Sequence, residues 1–129
     1  MNANPYDIKL VAVDMDGTFM RTDYTYDVPR FKVVLARMKA VGCQFVVASG
    51  NQYYQLRAQF PGYDHELSFV AENGALVKDK ELVLFAADTP RETVLVTLES
   101  CKKYPEVNNV LCGLTSAYRD RETYIEAFF

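Results

Sequence analysis

The sequence has few of the residues on which several common enzyme chemistries depend. It contains one histidine, His65, and three widely spaced cysteines, Cys43, Cys101 and Cys112, with no Cys-x-x-Cys pair. A single histidine in a polar stretch disfavours Ser-His and Cys-His catalysis, because both need a positioned base. An odd number of separated cysteines indicates buried free thiols in a reducing compartment, and we therefore expect a cytoplasmic protein.

Charge and hydropathy disfavour two classes of partner. The formal net charge is −3 and the isoelectric point is about 5.1, so there is no basic surface suited to nucleic acid. No apolar run approaches the length of a membrane span, and residues 1–6 lack the basic and apolar regions of a secretory signal. The 129 residues, half of them hydrophobic, suffice for one ordinary domain with a core.

A short apolar run near the amino terminus ends in two carboxylates. Residues Leu10 to Val13 show no polar alternation, which predicts a parallel strand buried on both faces. Such sheets bind ligands beyond the carboxyl ends of their strands, where Asp14 and Asp16 would lie, and Gly17 would turn the backbone away. Two carboxylates this close repel each other, and Mg²⁺, which takes one or two protein carboxylates, would relieve the repulsion.

An ordinary polar turn is the alternative explanation for the same two aspartates. The apolar strand before them and the Gly-Thr pair after them favour a site over a turn. An aspartate beside a metal can also act as a nucleophile and become an aspartyl phosphate.

The next segment predicts a helix and a second parallel strand. Asp27 offers an N-cap and Pro29 lies in the first turn, while Gly42 supplies the stop. The strand is expected over 43–48, which completes a right-handed βαβ unit. Apolar residues at helical spacing are expected to pack on the sheet: Phe31, Val34, Leu35, Met38 and Val41.

The second strand ends in Ser49, Gly50 and Asn51, and a helix is expected from Gln52 toward Phe60. A hydroxyl and a glycine at a strand-to-helix turn can bind phosphate, because the free N–H groups and the positive end of the helix dipole face the anion. Ser49 could instead be an N-cap alone. Its place beside the strand that carries Asp14 favours phosphate binding.

A third strand over 68–71 ends in Glu72, Asn73 and Gly74. Asn-Gly between apolar runs predicts a hairpin, with strands over 75–77 and 81–85. Glu72 and Asn73 could face the site and contact substrate, although the turn alone explains both residues.

The organisation changes near residue 86. Thr89 to Glu92 matches a capping box with Pro90 at the first helical position, and the helix should run to about Lys103. A strand is expected over 107–112, and Asp120 would open a last helix with Tyr124, Ile125, Phe128 and Phe129 on its apolar side. The inner face of the first of these helices would hold Val94, Leu95, Leu98 and Cys101.

Three of these segments resemble motifs of the haloacid dehalogenase superfamily of phosphohydrolases. DMDGT at residues 14–18 is similar to its first motif, and VVASGN at 46–51 is similar to its second. AENGA at 71–75 is similar to a signature of the Cof-like sugar-phosphatase branch. The resemblance implies an α/β, Rossmann-like core with a parallel sheet over residues 1–85 and the start of an inserted α/β cap domain over 86–129.

The resemblance also implies a mechanism and a set of site residues. Asp14 would attack phosphorus, and Asp16 would protonate the leaving alcohol and later activate water. Mg²⁺ would be held by the Asp14 carboxylate and the main-chain carbonyl of Asp16. The substrate would be a sugar phosphate or a similar small phosphoester, and the residues expected to bind it are Thr18, Ser49, Gly50, Asn51, Glu72 and Asn73.

The family's third motif, a lysine, and its fourth, an acidic pair, have no counterpart in the sequence. We therefore expect this chain to be an incomplete portion of a longer enzyme and to be inactive alone. Two alternatives stay open. A receiver-like phospho-acceptor domain has a similar length and an acidic pair, but it needs a later acceptor Asp where this chain has Ser49 and Glu72. A non-catalytic interaction module is the other.

Overall fold

The computed structural model describes residues 7–119, which divide into two compact units with the boundary after Ala86. The first unit alternates strands and helices before it ends in a hairpin. Its elements are β1 (Leu10–Asp14), α1 (Val28–Ala40), β2 (Gln44–Ala48), α2 (Tyr53–Ala58), β3 (Ser68–Ala71), β4 (Leu76–Asp79) and β5 (Leu82–Ala86).

The five strands of the first unit form one sheet in the order β1-β2-β3-β4-β5. Strands β1, β2 and β3 run parallel, with Val11 opposite Phe45 and Val47 opposite Phe69. Strands β4 and β5 are antiparallel additions. The predicted α/β class with a parallel sheet is confirmed, and the carboxyl ends of β1, β2 and β3 lie at the same edge.

Helix α1 has the predicted ends. The Asp27 carboxylate accepts a hydrogen bond from the Arg30 N–H at 2.9 Å, and Gly42 leaves the helix with a φ of +68°. Phe31 and Leu35 are buried, whereas Val34, also predicted to be in the core, is exposed. Val34 lies at the margin of the apolar stripe, about 70° around the helix from its centre at 100° per residue.

An aromatic cluster fills the core of the first unit. Phe19, which follows the turn after the aspartate pair, packs its ring against Tyr26, Phe31, Phe45 and Phe60 with centroids 5.1 to 5.8 Å apart. Ring pairs in this range are favourable beyond their area burial. The turn that carries the aspartates is therefore anchored to the core just beyond its end.

The prediction that β1 is buried on both faces is wrong. Leu10 and Val11 are 51% and 37% exposed. Within residues 7–119, β1 lies at the edge of the sheet with β2 as its one neighbouring strand, and α1 packs against β2. The central strand β2 is the one that is buried, with Phe45, Val46 and Val47 at 6% exposure or less.

The second unit contains α3 (Arg91–Cys101) and a two-stranded antiparallel sheet of β6 (Val110–Cys112) and β7 (Ala117–Arg119). The predicted capping box does not form. Pro90 occupies the N-cap position with no side-chain hydrogen bond, so Thr89 lies one residue too early to cap. The sequence pattern did not predict β7, and the expected helix from Asp120 lies outside the described residues.

Two further expectations concern thiols and membranes. Cys43 is buried, but Cys101 is partly exposed and Cys112 is exposed, so the prediction of buried thiols holds for Cys43 alone. Among residues 7–119, no helix has the length and apolar character needed to cross a membrane.

Candidate active site

The candidate site begins where β1 ends. Met15 is fully buried, whereas Asp14 and Asp16 on either side of it are exposed. The backbone then turns at Gly17, whose φ is +71°, and the Met20 N–H donates to the Met15 carbonyl at 2.9 Å. The buried Met15 side chain anchors the turn to the core, and the carboxylates of Asp14 and Asp16 face solvent.

Thr18 lies against the first aspartate. Its hydroxyl donates a hydrogen bond to Asp14 Oδ2 at 3.2 Å. The sequence predicted Thr18 as a phosphate or substrate ligand, but in this structure its side chain contacts a carboxylate of the site.

The loop after β2 meets the second aspartate. The Ser49 N–H donates to the Val70 carbonyl at 3.0 Å, and the Ser49 hydroxyl accepts from the Asn51 N–H at 3.1 Å. The Asn51 side-chain amide donates to Asp16 Oδ2 at 3.0 Å, across a sequence separation of 35 residues. Because β1 and β2 are parallel neighbours, residues from the first two motifs come together at one sheet edge.

The amino end of α2 differs from the expectation of free N–H groups. The Gln52 side-chain oxygen accepts from the N–H groups of Tyr54 and Gln55, at 2.8 and 3.3 Å. Helix α2 is also only six residues long. The N–H groups of Tyr54 and Gln55 are therefore not free, and anion binding by this helix terminus stays a prediction. Gln52 was missed as a cap, since glutamine is not among the residues that favour this position.

Glu72 and Asn73 hold the loop after β2 by their backbones. The Glu72 N–H donates to the Asn51 carbonyl at 3.1 Å, and the Asn73 N–H donates to the Ser49 carbonyl at 3.3 Å. Both residues have positive φ angles, 55° and 56°, which are costly for residues other than glycine. The predicted hairpin between β3 and β4 is present, and its turn also supports the site.

Gly50 lies against the side chain of Asn73. A Cβ at Gly50 would lie 2.9 Å from Asn73 Oδ1, a distance that real Cβ contacts do not reach.

The Glu72 Oε1 atom is buried and has no hydrogen-bond partner within residues 7–119. An unsatisfied buried carboxylate oxygen is uncommon and is suited to a ligand that donates hydrogen bonds.

The donors at this edge suit a hard cation. Two exposed carboxylates stand two residues apart, and hard divalent cations take oxygen ligands of this kind. Within residues 7–119, no three residues among His, Cys, Asp and Glu are grouped, here or elsewhere, as an all-protein metal site would require. The donor set therefore fits Mg²⁺ with water or substrate as further ligands.

Comparison with known proteins identifies the family of the chain. A model of the haloacid dehalogenase-like hydrolase family matches residues 11–128. An Escherichia coli K12 protein, 5-amino-6-(5-phospho-D-ribitylamino)uracil phosphatase YbjI, is 46% identical over 111 residues, which are 86% of this chain and 41% of that protein.

Solved structures agree with the fold. SMU.1108c from Streptococcus mutans UA159 has a TM-score of 0.80 at 36% identity, covering 91% of this chain and 44% of that one. A haloacid dehalogenase-like hydrolase from B. subtilis has a TM-score of 0.72 at 19% identity, covering 87% and 39%, and supports the fold alone. The chain spans less than half the length of each of these relatives. The resemblance predicted from the three motifs is confirmed, and the chain belongs to the haloacid dehalogenase-like hydrolase family.

Proposed function

We propose that the protein carrying this chain is a Mg²⁺-dependent phosphatase that hydrolyses small phosphomonoesters through an aspartyl phosphate on Asp14. One observation carries this proposal. Asp14 and Asp16 follow one parallel strand, Ser49 and Asn51 follow its neighbour, and Asn51 hydrogen-bonds Asp16 across the two. This is the sheet edge at which open α/β sheets bind ligands.

In the first half-reaction, an Asp14 carboxylate oxygen bonds to phosphorus as the ester P–O bond breaks. The leaving alcohol oxygen takes a proton from Asp16. The Thr18 hydroxyl, 3.2 Å from Asp14 Oδ2, restricts the carboxylate and leaves Oδ1 as the oxygen for attack. Orienting a reacting group in this way lowers the entropic part of the barrier.

In the second half-reaction, water attacks phosphorus of the aspartyl phosphate and Asp16 takes the proton of that water. Inorganic phosphate leaves, and Asp14 returns to a carboxylate. The same residue serves as acid and then as base, so both carboxyl groups end as they began.

Mg²⁺ would be held by the Asp14 carboxylate and the main-chain carbonyl of Asp16. When bound, it would neutralise phosphate charge. The Ser49 hydroxyl and the Gly50 N–H would hold a non-transferring phosphate oxygen. This role is assigned to the loop after β2 and not to the amino end of α2, because Gln52 caps that end.

The substrate class we propose is a phosphorylated sugar or polyol. The E. coli relative is named for a substrate with a phosphorylated ribityl chain, which is a primary alkyl phosphate. Glu72, whose buried Oε1 has no hydrogen-bond partner within residues 7–119, is suited to a hydroxyl of such a substrate. We assign residues 86–129 as the start of a cap domain, and we propose a cytoplasmic location, with which the free cysteines are compatible.

The receiver-like alternative is not favoured. It needs an acceptor Asp after a later strand, whereas β2 and β3 are followed by Ser49 and Glu72. A non-catalytic module would bind phosphate or Mg²⁺ without turnover, so a measurement of turnover distinguishes it from a phosphatase.

The experiment measures phosphate release by the whole protein that carries this chain, with and without Mg²⁺. The panel contains para-nitrophenyl phosphate, sugar phosphates and the ribityl phosphate for which the E. coli relative is named. We expect Mg²⁺-dependent turnover and, after acid quench, a phosphate group attached to Asp14 by mass spectrometry. Binding without turnover across the panel would contradict the proposal.

The 129-residue chain is measured beside the whole protein. We expect it to be slower by at least about a hundredfold, because the described residues offer two carboxylates for the metal and no positioned lysine for the phosphate. Equal turnover by the two would show that the site is complete in this chain.

A further inference from the structure

The Asn51 side chain bonds to an aspartate, although the sequence predicted it as a ligand of substrate. Its amide Nδ2 lies 3.0 Å from Asp16 Oδ2. The amide nitrogen only donates hydrogen bonds, so Oδ2 is the oxygen of Asp16 that accepts and carries no proton in this contact. Asp16 is thereby held by a neutral donor, as Asp14 is held by Thr18.

The backbone N–H and carbonyl of Asn51 are both hydrogen-bonded. Its N–H donates to the Ser49 hydroxyl at 3.1 Å, and its carbonyl accepts from the Glu72 N–H at 3.1 Å. Glu72 and Asn73 reach this loop in the left-handed region, which a non-glycine residue adopts at a cost when its surroundings require it. The side chain of Asn51 thus projects from a fixed loop, and its direction toward Asp16 is built into the fold.

We propose that Asn51 is a positioning residue for Asp16, and this inference rests on the proposed phosphatase function. A hydrogen bond to Oδ2 restricts rotation of the carboxyl group and leaves Oδ1 to carry the proton for the leaving alcohol. An amide is suited to this task because it orients the carboxyl without adding charge. Asn51 therefore acts through Asp16, and its loss impairs proton transfer more than phosphate binding.

Substrates with different leaving groups can distinguish a positioning role of Asn51 from a direct contact between Asn51 and phosphate. A para-nitrophenolate leaves without a proton, whereas the alkoxide of a polyol phosphate is a poor leaving group and needs one. The parameter kcat/KM reports steps up to departure of the alcohol, so it excludes the later attack of water. Loss of a positioned acid should therefore appear in kcat/KM for the alkyl phosphate and be small for the aryl phosphate.

The test compares the Asn51→Ala variant with the wild type, both as the whole protein, on an alkyl phosphate and on para-nitrophenyl phosphate. For the alkyl phosphate we expect kcat/KM to fall on the order of 10- to 100-fold, part of the 10²- to 10⁴-fold that general acid catalysis contributes. For para-nitrophenyl phosphate we expect a fall of less than about fivefold. Phosphoenzyme should also accumulate with the aryl substrate, because Asp16 activates the water that releases phosphate.

Thr18→Val is the matched control, since Thr18 makes the equivalent bond to the nucleophile. It should lower kcat/KM for both substrates by similar factors. Asn51→Leu, which is nearly isosteric and uncharged but has no amide donor, should show the same substrate split if Asn51→Ala fails to fold.

Equal losses of kcat/KM on the two substrates in the Asn51 variants would overturn the inference and make Asn51 a phosphate ligand or a structural residue. No loss on either would overturn it as well. A wild-type protein inactive on every phosphomonoester is a different result, which rejects the proposed function and this inference with it.

Discussion

The first unit, over residues 7–86, buries fifteen apolar side chains, whereas residues 87–119 of the second unit bury none. The aromatic cluster around Phe60 has no equivalent in the described part of the second unit, where Leu95 and Val96 of α3 are 53% and 67% exposed. Since burial of apolar area is the main favourable term in folding, most packing energy within residues 7–119 belongs to the first unit.

Polar contacts differ in the same way. In the first unit Gln44, Ser68 and Asp79 form a network across three strands, with bonds of 2.6 to 2.9 Å. In α3 the hydroxyls of Thr97 and Ser100 donate to carbonyls one turn earlier. The first set of contacts joins three strands to one another, whereas the second stays within one helix. The site residues are accordingly expected in the first unit, and three predictions test the contrast between the units.

The largest expected effect is on turnover. Asp14→Asn in the whole protein should lower kcat by on the order of 10³-fold or more, because an amide cannot attack phosphorus or carry the phosphoryl group. Circular dichroism should be unchanged. The matched change in the second unit, Asp88→Asn, should leave kcat within twofold or so of the wild type. Near wild-type turnover in Asp14→Asn would show that Asp14 is not the nucleophile.

The next effect is on stability. Phe60 is fully buried and its ring packs against Phe19, Tyr26, Phe31 and Phe69. Phe60→Ala should lower the free energy of unfolding by about 3–5 kcal/mol, from lost transfer energy and the cavity left behind.

Leu95→Ala in α3 is the control for that change, because Leu95 is exposed. It should alter stability by about 0.5 kcal/mol or less, measured by guanidinium unfolding in parallel. Similar losses from the two substitutions would mean that α3 is packed in solution against something that covers it.

The smallest effect concerns ion pairs and pH. The Arg57 guanidinium hydrogen-bonds Asp64 and lowers the pKa of that carboxyl below its ordinary 3.8, and both side chains are less than one-third exposed. A depressed carboxyl pKa gives stability that is present above pH 3.8 and is lost as the pH falls through the folded value. Asp64→Asn should therefore cost about 1–2 kcal/mol at pH 7 and progressively less below pH 3.8.

The second unit supplies the matching pair. Glu99 and Lys102 are 2.8 Å apart with side chains 72% and 69% exposed. Glu99→Gln should change the free energy of unfolding by about 0.5 kcal/mol or less, since solvent and salt screen exposed pairs. The check is chemical denaturation of both variants between pH 2 and 7. If the loss in free energy of unfolding caused by Asp64→Asn did not vary with pH, the charge of the Asp64 carboxylate would not be what stabilises the fold.

The sequence predicted the parallel βαβ unit, the N-cap at Asp27 and the Asn-Gly hairpin, because a few consecutive residues carry each signal. It failed where neighbours distant in sequence decide the outcome. Burial of β1 depends on what lies beside it in the sheet, and the amino end of α2 depends on whether Gln52 folds back on the helix. The order of the three motifs predicted the family, since each motif is local.

The sequence by itself determined the residue types available at the sheet edge and the strands that deliver them, because hydropathy period and turn chemistry act over short distances. Only the tertiary structure decided that Thr18 bonds Asp14 and that Asn51 bonds Asp16. The second of these contacts joins residues 35 positions apart. It depends on the register of β1 against β2 and on a left-handed turn at Glu72 and Asn73, and neither can be read from the residues around Asn51.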